Sequence, residues 1–197
     1  MTLEEAARFA VQVVGELAPH CLRIEVAGSI RRRKPDGIKD VEIVAIPKPP
    51  FLEFGKKPGL AIWLMLDELR SRGQVLPRYN KKGNVIAWGA KYRATNWRGV
   101  PVDIFLAEPD NWGVILLLRT GPAEWNHKLV TSEAYGGWMS TGLALEGGRL
   151  VSFTLHSDDE PTPIATLEES DVFRALGLPW IDPWERTVEK LSKRVAA

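Results

Sequence analysis

Apolar residues recur at helical spacing from the first turn of the chain: Ala6, Phe9, Ala10, Val13, Val14 and Leu17 mark one face of a helix running to about Ala18. Thr2, with Glu5 three residues on, supplies a capping-box pattern at its start, and Pro19 ends it. Leu22–Ala27 reads as a strand broken at Gly28-Ser29, where a short helix is predicted. Val41–Ile46 is apolar at all but one position, which predicts a central, buried strand. Residues 47–58, with four prolines, read as a loop, and Leu60–Arg70 as a second helix. Three strand-like runs follow, Val75–Asn80, Val85–Arg93 and Val100–Ala107. Lys81-Lys82-Gly83-Asn84 and the segment 94–99 are the predicted turns between them.

Past Pro109 the pattern changes. Asn111–Arg119 and Ala123–Thr131 read as helices around Thr120-Gly121-Pro122. Leu143–Leu145 and Arg149–Phe153, joined by Glu146-Gly147-Gly148, predict a hairpin. Residues 157–163 read as an acidic, proline-containing loop, and helical pieces at 167–176 and 183–195 close the chain. The expected fold class is α+β, with a mixed or antiparallel sheet flanked by helices over residues 1–108. A smaller α+β lobe is expected over residues 109–197.

Composition adds boundaries. The 197 residues are 45% hydrophobic and 26% charged, as in an ordinary globular protein. No apolar run approaches the roughly 20 residues that span a bilayer, so no membrane partner is expected. The acidic, amphipathic start is unlike a signal peptide. A single cysteine, Cys21, excludes an internal disulfide framework and fits a cytoplasmic rather than a secreted protein. With three scattered histidines, any metal here would be oxygen-bound; His127 and His156 have no partner at ligand spacing. The net charge of +1 conceals an asymmetry: residues 1–107 carry 18 basic and 11 acidic side chains, against 8 and 14 in residues 108–197. The first half therefore carries the positive field that a polyanion would seek.

The candidate chemistry lies between residues 27 and 44. A Gly28-Ser29 turn leads into Arg31-Arg32-Arg33-Lys34, followed by Asp40 and Glu42. Side chains at i and i+2 of a strand share a face, and two carboxylates there repel unless a cation sits between them. A third carboxylate, Asp103, interrupts the apolar strand Val100–Ala107, where a charge is costly unless paired or metal-bound. If the strands are neighbours, the three carboxylates meet at one spot, which suits phosphoryl transfer through two metal ions.

These elements resemble, in order, the family X DNA polymerases, the polymerase beta group of the nucleotidyltransferase superfamily. Gly28-Ser29 with Arg31-Arg32 is similar to the family's Gly-Ser-x-Arg-Arg turn, Asp40-Val41-Glu42 to its Asp-x-Asp strand, and Val102-Asp103-Ile104 to its third-carboxylate strand. Trp112-Gly113 with Thr120-Gly121 and Asn126 resembles the segment between palm and nucleotide-binding helix. Leu176–Trp180 with Pro183–Arg186 resembles the C-terminal ending, so the resemblance spans about residues 22–190. It implies a nucleotidyltransferase-fold palm and a thumb-like lobe, in a short form without the lyase and helix-hairpin-helix regions. It further implies that Asp40, Glu42 and Asp103 bind two Mg²⁺ (or Mn²⁺) ions, with Asp103 helping to deprotonate a primer 3′-hydroxyl. Ser29 and Arg32, with the Gly28-Ser29 amides, would hold the nucleotide phosphates; Gly121 would lie beneath the sugar and Asn126 would touch the base or sugar edge of the nucleotide.

The implied enzyme is a metal-dependent, DNA-directed nucleotidyltransferase engaged in short-gap filling or end repair. Its partners would be gapped or primer-template DNA and dNTP or rNTP, and a monomer is expected. Arg33, Lys34, Arg78, Lys81, Lys82, Lys91, Arg93 and Arg98 form a candidate DNA-phosphate track. Trp88 and Trp97 are candidates either for core packing or for stacking on bases, whereas Trp112, Trp125, Trp180 and Trp184 are expected to pack the second lobe. The sequence departs from the family at Glu42, where the family has Asp, and at Pro101, Leu118-Arg119 and Val130, positions bearing on sugar choice and template contact. Two alternatives stay open: a nucleotidyltransferase with a non-DNA acceptor, and a non-catalytic DNA-binding derivative.

Overall fold

The computed structural model describes residues 1–49, 61–154 and 159–190. Most of the predicted 47–58 loop, His156 and the end of the predicted 183–195 helix lie outside the described residues. The chain divides into two compact units, Met1–Ala107 and Glu108–Ala197.

In the first unit α1 (Leu3–Leu17) starts on Thr2, whose hydroxyl accepts from the Glu5 amide while the Glu5 carboxylate accepts from the Thr2 amide. The chain then forms β1 (Cys21–Val26), the four-residue α2 (Gly28–Arg31), β2 (Val41–Pro47) and α3 (Ala61–Ser71). β3 (Val75–Pro77), β4 (Tyr92–Trp97) and β5 (Val100–Leu106) complete a five-stranded sheet of order β1-β2-β5-β4-β3. β2 and β5 run parallel and the other pairs antiparallel, so the sheet is mixed.

One face of this sheet is the core. Val41, Ile43 and Ala45 of β2 and Val102 and Ile104 of β5 pack with Ala10, Val13 and Leu17 of α1 and Ile62, Trp63 and Leu66 of α3. Burying such side chains stabilises the unit by roughly 1.5–3 kcal/mol for each large one. The alternate residues, including Glu42 and Asp103, point to the opposite face.

The 94–99 segment corrects the sequence expectation. Ala94–Trp97 is strand, and the turn is only Arg98-Gly99, with φ of 50° and 92°. Two successive positive φ values give the tight hairpin whose twist matches its strands. The strand prevails because Trp97 is fully buried and the Thr95 hydroxyl donates to the Val102 carbonyl at 2.8 Å. The expected strands Val75–Asn80 and Val85–Arg93 shorten accordingly. Between β3 and β4, residues 78–91 form an arm held by isolated bridges, Tyr79 with Val85 and Trp88 with Arg93, and by backbone hydrogen bonds such as that from the Ile86 N–H to the Arg78 carbonyl at 2.8 Å.

The second unit contains α4 (Trp112–Thr120), α5 (Ala123–Val130), a three-stranded sheet of β6 (Leu143–Glu146), β7 (Arg149–Ser152) and β8 (Thr162–Ile164), and α6 (Glu169–Ala175). Thr162 and Pro163, read from sequence as loop, belong to β8, which pairs with β7. Pro183–Glu185 is a single 3-10 turn, and within the predicted 183–195 helix the described residues are α-helical only from residue 188. Val114, Leu117, Trp125, Leu129, Leu150, Val172 and Phe173 form the core. Trp112 and Trp125 are fully buried, as expected, whereas Trp180 and Trp184 are nearly half exposed. Among the described residues no helix is long and apolar enough to cross a membrane.

Candidate active site

Strand register builds a polar row on the face opposite the core. Glu42 of β2 lies beside Asp103 of β5, and Asp103 beside Ala94 of β4. Arg78, just beyond β3, donates its backbone N–H to the Ala94 carbonyl at 2.8 Å, which extends the row to a fourth chain segment. Asp40 lies just before β2, two residues ahead of Glu42, close enough for its charge to interact with Asp103, Arg78 and Arg32.

Asp103 is the most enclosed of the three carboxylates, at 7% exposure. One terminal nitrogen of Arg78 donates to its Oδ1 at 2.7 Å and Oδ2 at 2.9 Å, and the Tyr92 hydroxyl donates to Oδ1 at 3.1 Å. Burial, followed by the charge of Asp103, pushes the Tyr92 phenol up to about 12, so it stays a donor at neutral pH. Tyr92 is itself stacked on Phe105 at 4.5 Å. Burial, and then the charge of Asp103, raises the Asp40 carboxyl above its ordinary value, with Arg78 and Lys39 pulling the other way.

The turn after β1 lies against the same row. Gly28 has φ of +61°, and a Cβ added there would fall 2.6 Å from Cδ of Glu42 and 3.1 Å from its Cγ. Glycine at this position is therefore what lets the Glu42 carboxylate lie over the turn. The Ala27 N–H donates to the Glu42 carbonyl at 2.8 Å, fastening turn to strand. Arg32 donates to the Ser29 hydroxyl at 3.0 Å. Burial lowers the Arg32 pKa, while the charges of Glu42 and Asp40 work to raise it.

Gly28, Ser29, Arg32, Asp40, Glu42, Asp103 and Arg78 thus belong to one neighbourhood of the first unit. Among the described residues no three His, Cys, Asp or Glu side chains converge as a ready-made metal cage. In donor chemistry the set fits a hard divalent cation: three carboxylates, no sulfur or imidazole, and an Asp40 whose charge is opposed by Asp103. In this arrangement Arg78 supplies the positive charge next to Asp103.

Gly121 and Asn126 meet in the second unit. The Asn126 amide nitrogen donates to the carbonyls of Leu118 at 2.6 Å and Gly121 at 3.2 Å, closing the α4–α5 turn. Its Oδ1 is buried without a hydrogen-bond partner and lies against Gly121. The Asn126 amide nitrogen, a candidate nucleotide contact from sequence, is thus used on backbone.

The expected DNA track separates into parts. Arg33, Lys34, Lys81, Lys82 and Lys91 are exposed, with Lys81 and Lys82 at the tip of the arm. Arg93 is a correction. It is 8% exposed, pairs with Asp67 at 2.8 Å, and lies between the rings of Trp63 at 4.5 Å and Trp88 at 4.6 Å. Its register partner is Ile104, which puts it on the core face. Trp97 is buried and unavailable to bases, and a face of Trp88 is covered by Arg93. Arg98 pairs through two hydrogen bonds with Glu16 of α1, at 2.8 and 3.0 Å. Sequence reasoning missed the role of Arg78 beside Asp103, and that of Tyr92. Sheet register was the signal that could have found both.

Residues 115–187, all in the second unit, match the family model described as DNA polymerase beta thumb. That match supports a family X polymerase-like relationship. No curated protein matches the chain.

Proposed function

We propose that the chain is a DNA-directed nucleotidyltransferase that adds a nucleotide to a primer 3′-hydroxyl, in short-gap filling or end repair. The observation that carries this reading is the register of Glu42 beside Asp103, with the charges of Asp40 and Asp103 opposing each other and Gly28 packed against Glu42. The thumb match over residues 115–187 adds a polymerase-like, DNA-binding character.

In this reading Asp40, Glu42 and Asp103 hold Mg²⁺ or Mn²⁺, which when bound neutralises the triphosphate and acidifies the attacking hydroxyl. Ser29 and Arg32 bind and orient the β- and γ-phosphates, their side chains already joined at 3.0 Å. As the 3′-oxygen bonds to the α-phosphorus its proton passes to Asp103, and the bond from the α-phosphorus to the α,β-bridging oxygen breaks with its electron pair leaving on pyrophosphate. Lys81, Lys82, Lys91, Arg33 and Lys34 contact backbone phosphates. The Leu118-Arg119 pair leaves sugar choice to be measured, so both dNTP and rNTP are assayed.

The test is primer extension on a single-nucleotide-gapped duplex with Mg²⁺ or Mn²⁺ and each nucleotide alone. Templated incorporation by the wild type that Asp103→Asn abolishes supports the reading; full activity in Asp103→Asn sinks it. A second reading, a non-DNA acceptor, is favoured by one observation: burial of Arg93 and the pairing of Arg98 with Glu16 shorten the phosphate track. Gapped-duplex binding that ignores salt, or is absent, would select that reading, since phosphate contacts release counterions.

A further inference from the structure

Arg78 stands two strands away from Asp103. Ala94, in register with Asp103 and bonded through its carbonyl to the Arg78 amide, lies between them. A methyl group at that position leaves the row open, and the guanidinium reaches across it to the carboxylate. Both Asp103 oxygens accept from the same Arg78 nitrogen, and Oδ1 also accepts from Tyr92. The side chain of Arg78 is 23% exposed and that of Asp103 9%, so the pair is only partly screened by water. Burial works against the Arg78 charge, but Asp103, with Tyr92 and Asp40 adding to it, raises the Arg78 pKa overall. The Nε of Arg78 is buried with no hydrogen-bond partner, so the contact with Asp103 is made by one end of the guanidinium alone.

A carboxylate whose two oxygens are both engaged by a guanidinium has fewer lone pairs and less net charge for a metal. Two cations at one carboxylate also repel. Resting on the nucleotide-transfer reading above, we infer that Arg78 is a displaceable counter-ion, a positioning residue that competes with the divalent cation for Asp103. It neutralises Asp103 while no ion is bound and must yield the carboxylate for the ion to use it. Removing its charge should therefore tighten ion binding, the opposite of what loss of a structural support does.

The experiment measures Mn²⁺ binding to the full chain, free of nucleotide and nucleic acid, from the electron paramagnetic resonance signal of free Mn²⁺. Arg78→Gln should bind Mn²⁺ on the order of tenfold more tightly than wild type, since charged hydrogen bonds of this kind are worth at least that factor. Arg78→Lys, which keeps the charge on a more flexible stem, should fall between the two. The gain should vanish in Arg78→Gln with Asp103→Asn. Equal or weaker binding by a folded Arg78→Gln overturns the inference; should that variant not fold, Arg78→Lys no tighter than wild type overturns it. Wild-type binding that is indifferent to Asp103→Asn overturns the nucleotide-transfer reading itself. Binding that needs Asp103 but ignores Arg78 overturns only the role of Arg78.

Discussion

Gly28→Ala probes the junction of turn and carboxylate. Two costs are separable there. The first is backbone: φ of +61° places an L-residue in the left-handed region, worth about 1–2 kcal/mol. The second is steric. A Cβ would lie 2.6 Å from Glu42 Cδ, well inside the roughly 3.5–4.0 Å of comfortable carbon contact. The end of Glu42 can swing away, so this cost is that of an off-rotamer side chain, about 1 kcal/mol. Gly28→Ala should therefore lose about 2–3 kcal/mol. Gly73, with φ of +70° and nothing within 4 Å of an added Cβ, isolates the first cost, and Gly73→Ala should lose about 1–2 kcal/mol. In a double-mutant cycle read by urea unfolding, Glu42→Ala should recover about 1 kcal/mol of the Gly28→Ala loss. A Gly28→Ala no worse than Gly73→Ala, with no coupling to Glu42, would refute the packing of Glu42 over the turn. Displacing Glu42 should also weaken Mn²⁺ binding, which Gly73→Ala should leave unchanged.

Two further outcomes follow from buried groups. Arg186 and Glu169 are paired at 2.8 Å with both side chains buried, and Trp125, Phe173 and Trp180 lie about the guanidinium at 5.5–5.7 Å. Arg186→Met should cost the second unit about 3–5 kcal/mol in urea unfolding by removing the buried counter-charge of Glu169, and adding Glu169→Leu should recover much of it; a single-variant loss below about 1 kcal/mol would contradict the buried pair. Burial pushes the Cys21 thiol up to about 11 from 9.0, so at pH 8 its thiolate fraction is about a hundredfold below that of the unfolded chain. A disulfide reagent should thus label native protein at least that much more slowly than urea-unfolded protein. Because the folded thiol binds its proton more tightly, its contribution to stability is full below pH 9 and is lost as pH rises through 11. Equal labelling rates would show that Cys21 is not enclosed.

Much of the fold was legible because local chemistry and tertiary context agree. Thr2 and Glu5 form the capping box that their spacing predicts, and the stripe through Ala6, Ala10, Val13 and Leu17 is the buried face of α1. The mistakes come from places where context overrides local propensity. Thr95-Asn96-Trp97 reads as turn from its polar residues, yet burial of Trp97 and the Thr95 hydroxyl bond draw it into β4. That misreading hid the parity of the strand. Once Arg98-Gly99 is the turn, pairing places Ala94 beside Asp103 and Arg93 beside Ile104, on opposite faces. Arg93 then has to be a core residue, sandwiched by tryptophans, rather than a phosphate contact. The Arg78–Asp103 pair joins residues 25 positions apart across an intervening strand, so no local pattern announces it. Glu42 and Asp103 were readable as candidates because the cost of a carboxylate within an apolar strand is visible without coordinates, and Asp40 joined them by its spacing from Glu42. Their counter-charge was not.

The most direct test of the carboxylate row is a crystal of the full chain grown with Mn²⁺ and a non-hydrolysable dNTP, read by anomalous scattering. The account predicts manganese bound by Asp40, Glu42 and Asp103, nucleotide phosphates at Ser29 and Arg32, and Arg78 withdrawn from Asp103. Nucleotide bound elsewhere, with no manganese on these carboxylates and the Arg78–Asp103 pair intact, would contradict it.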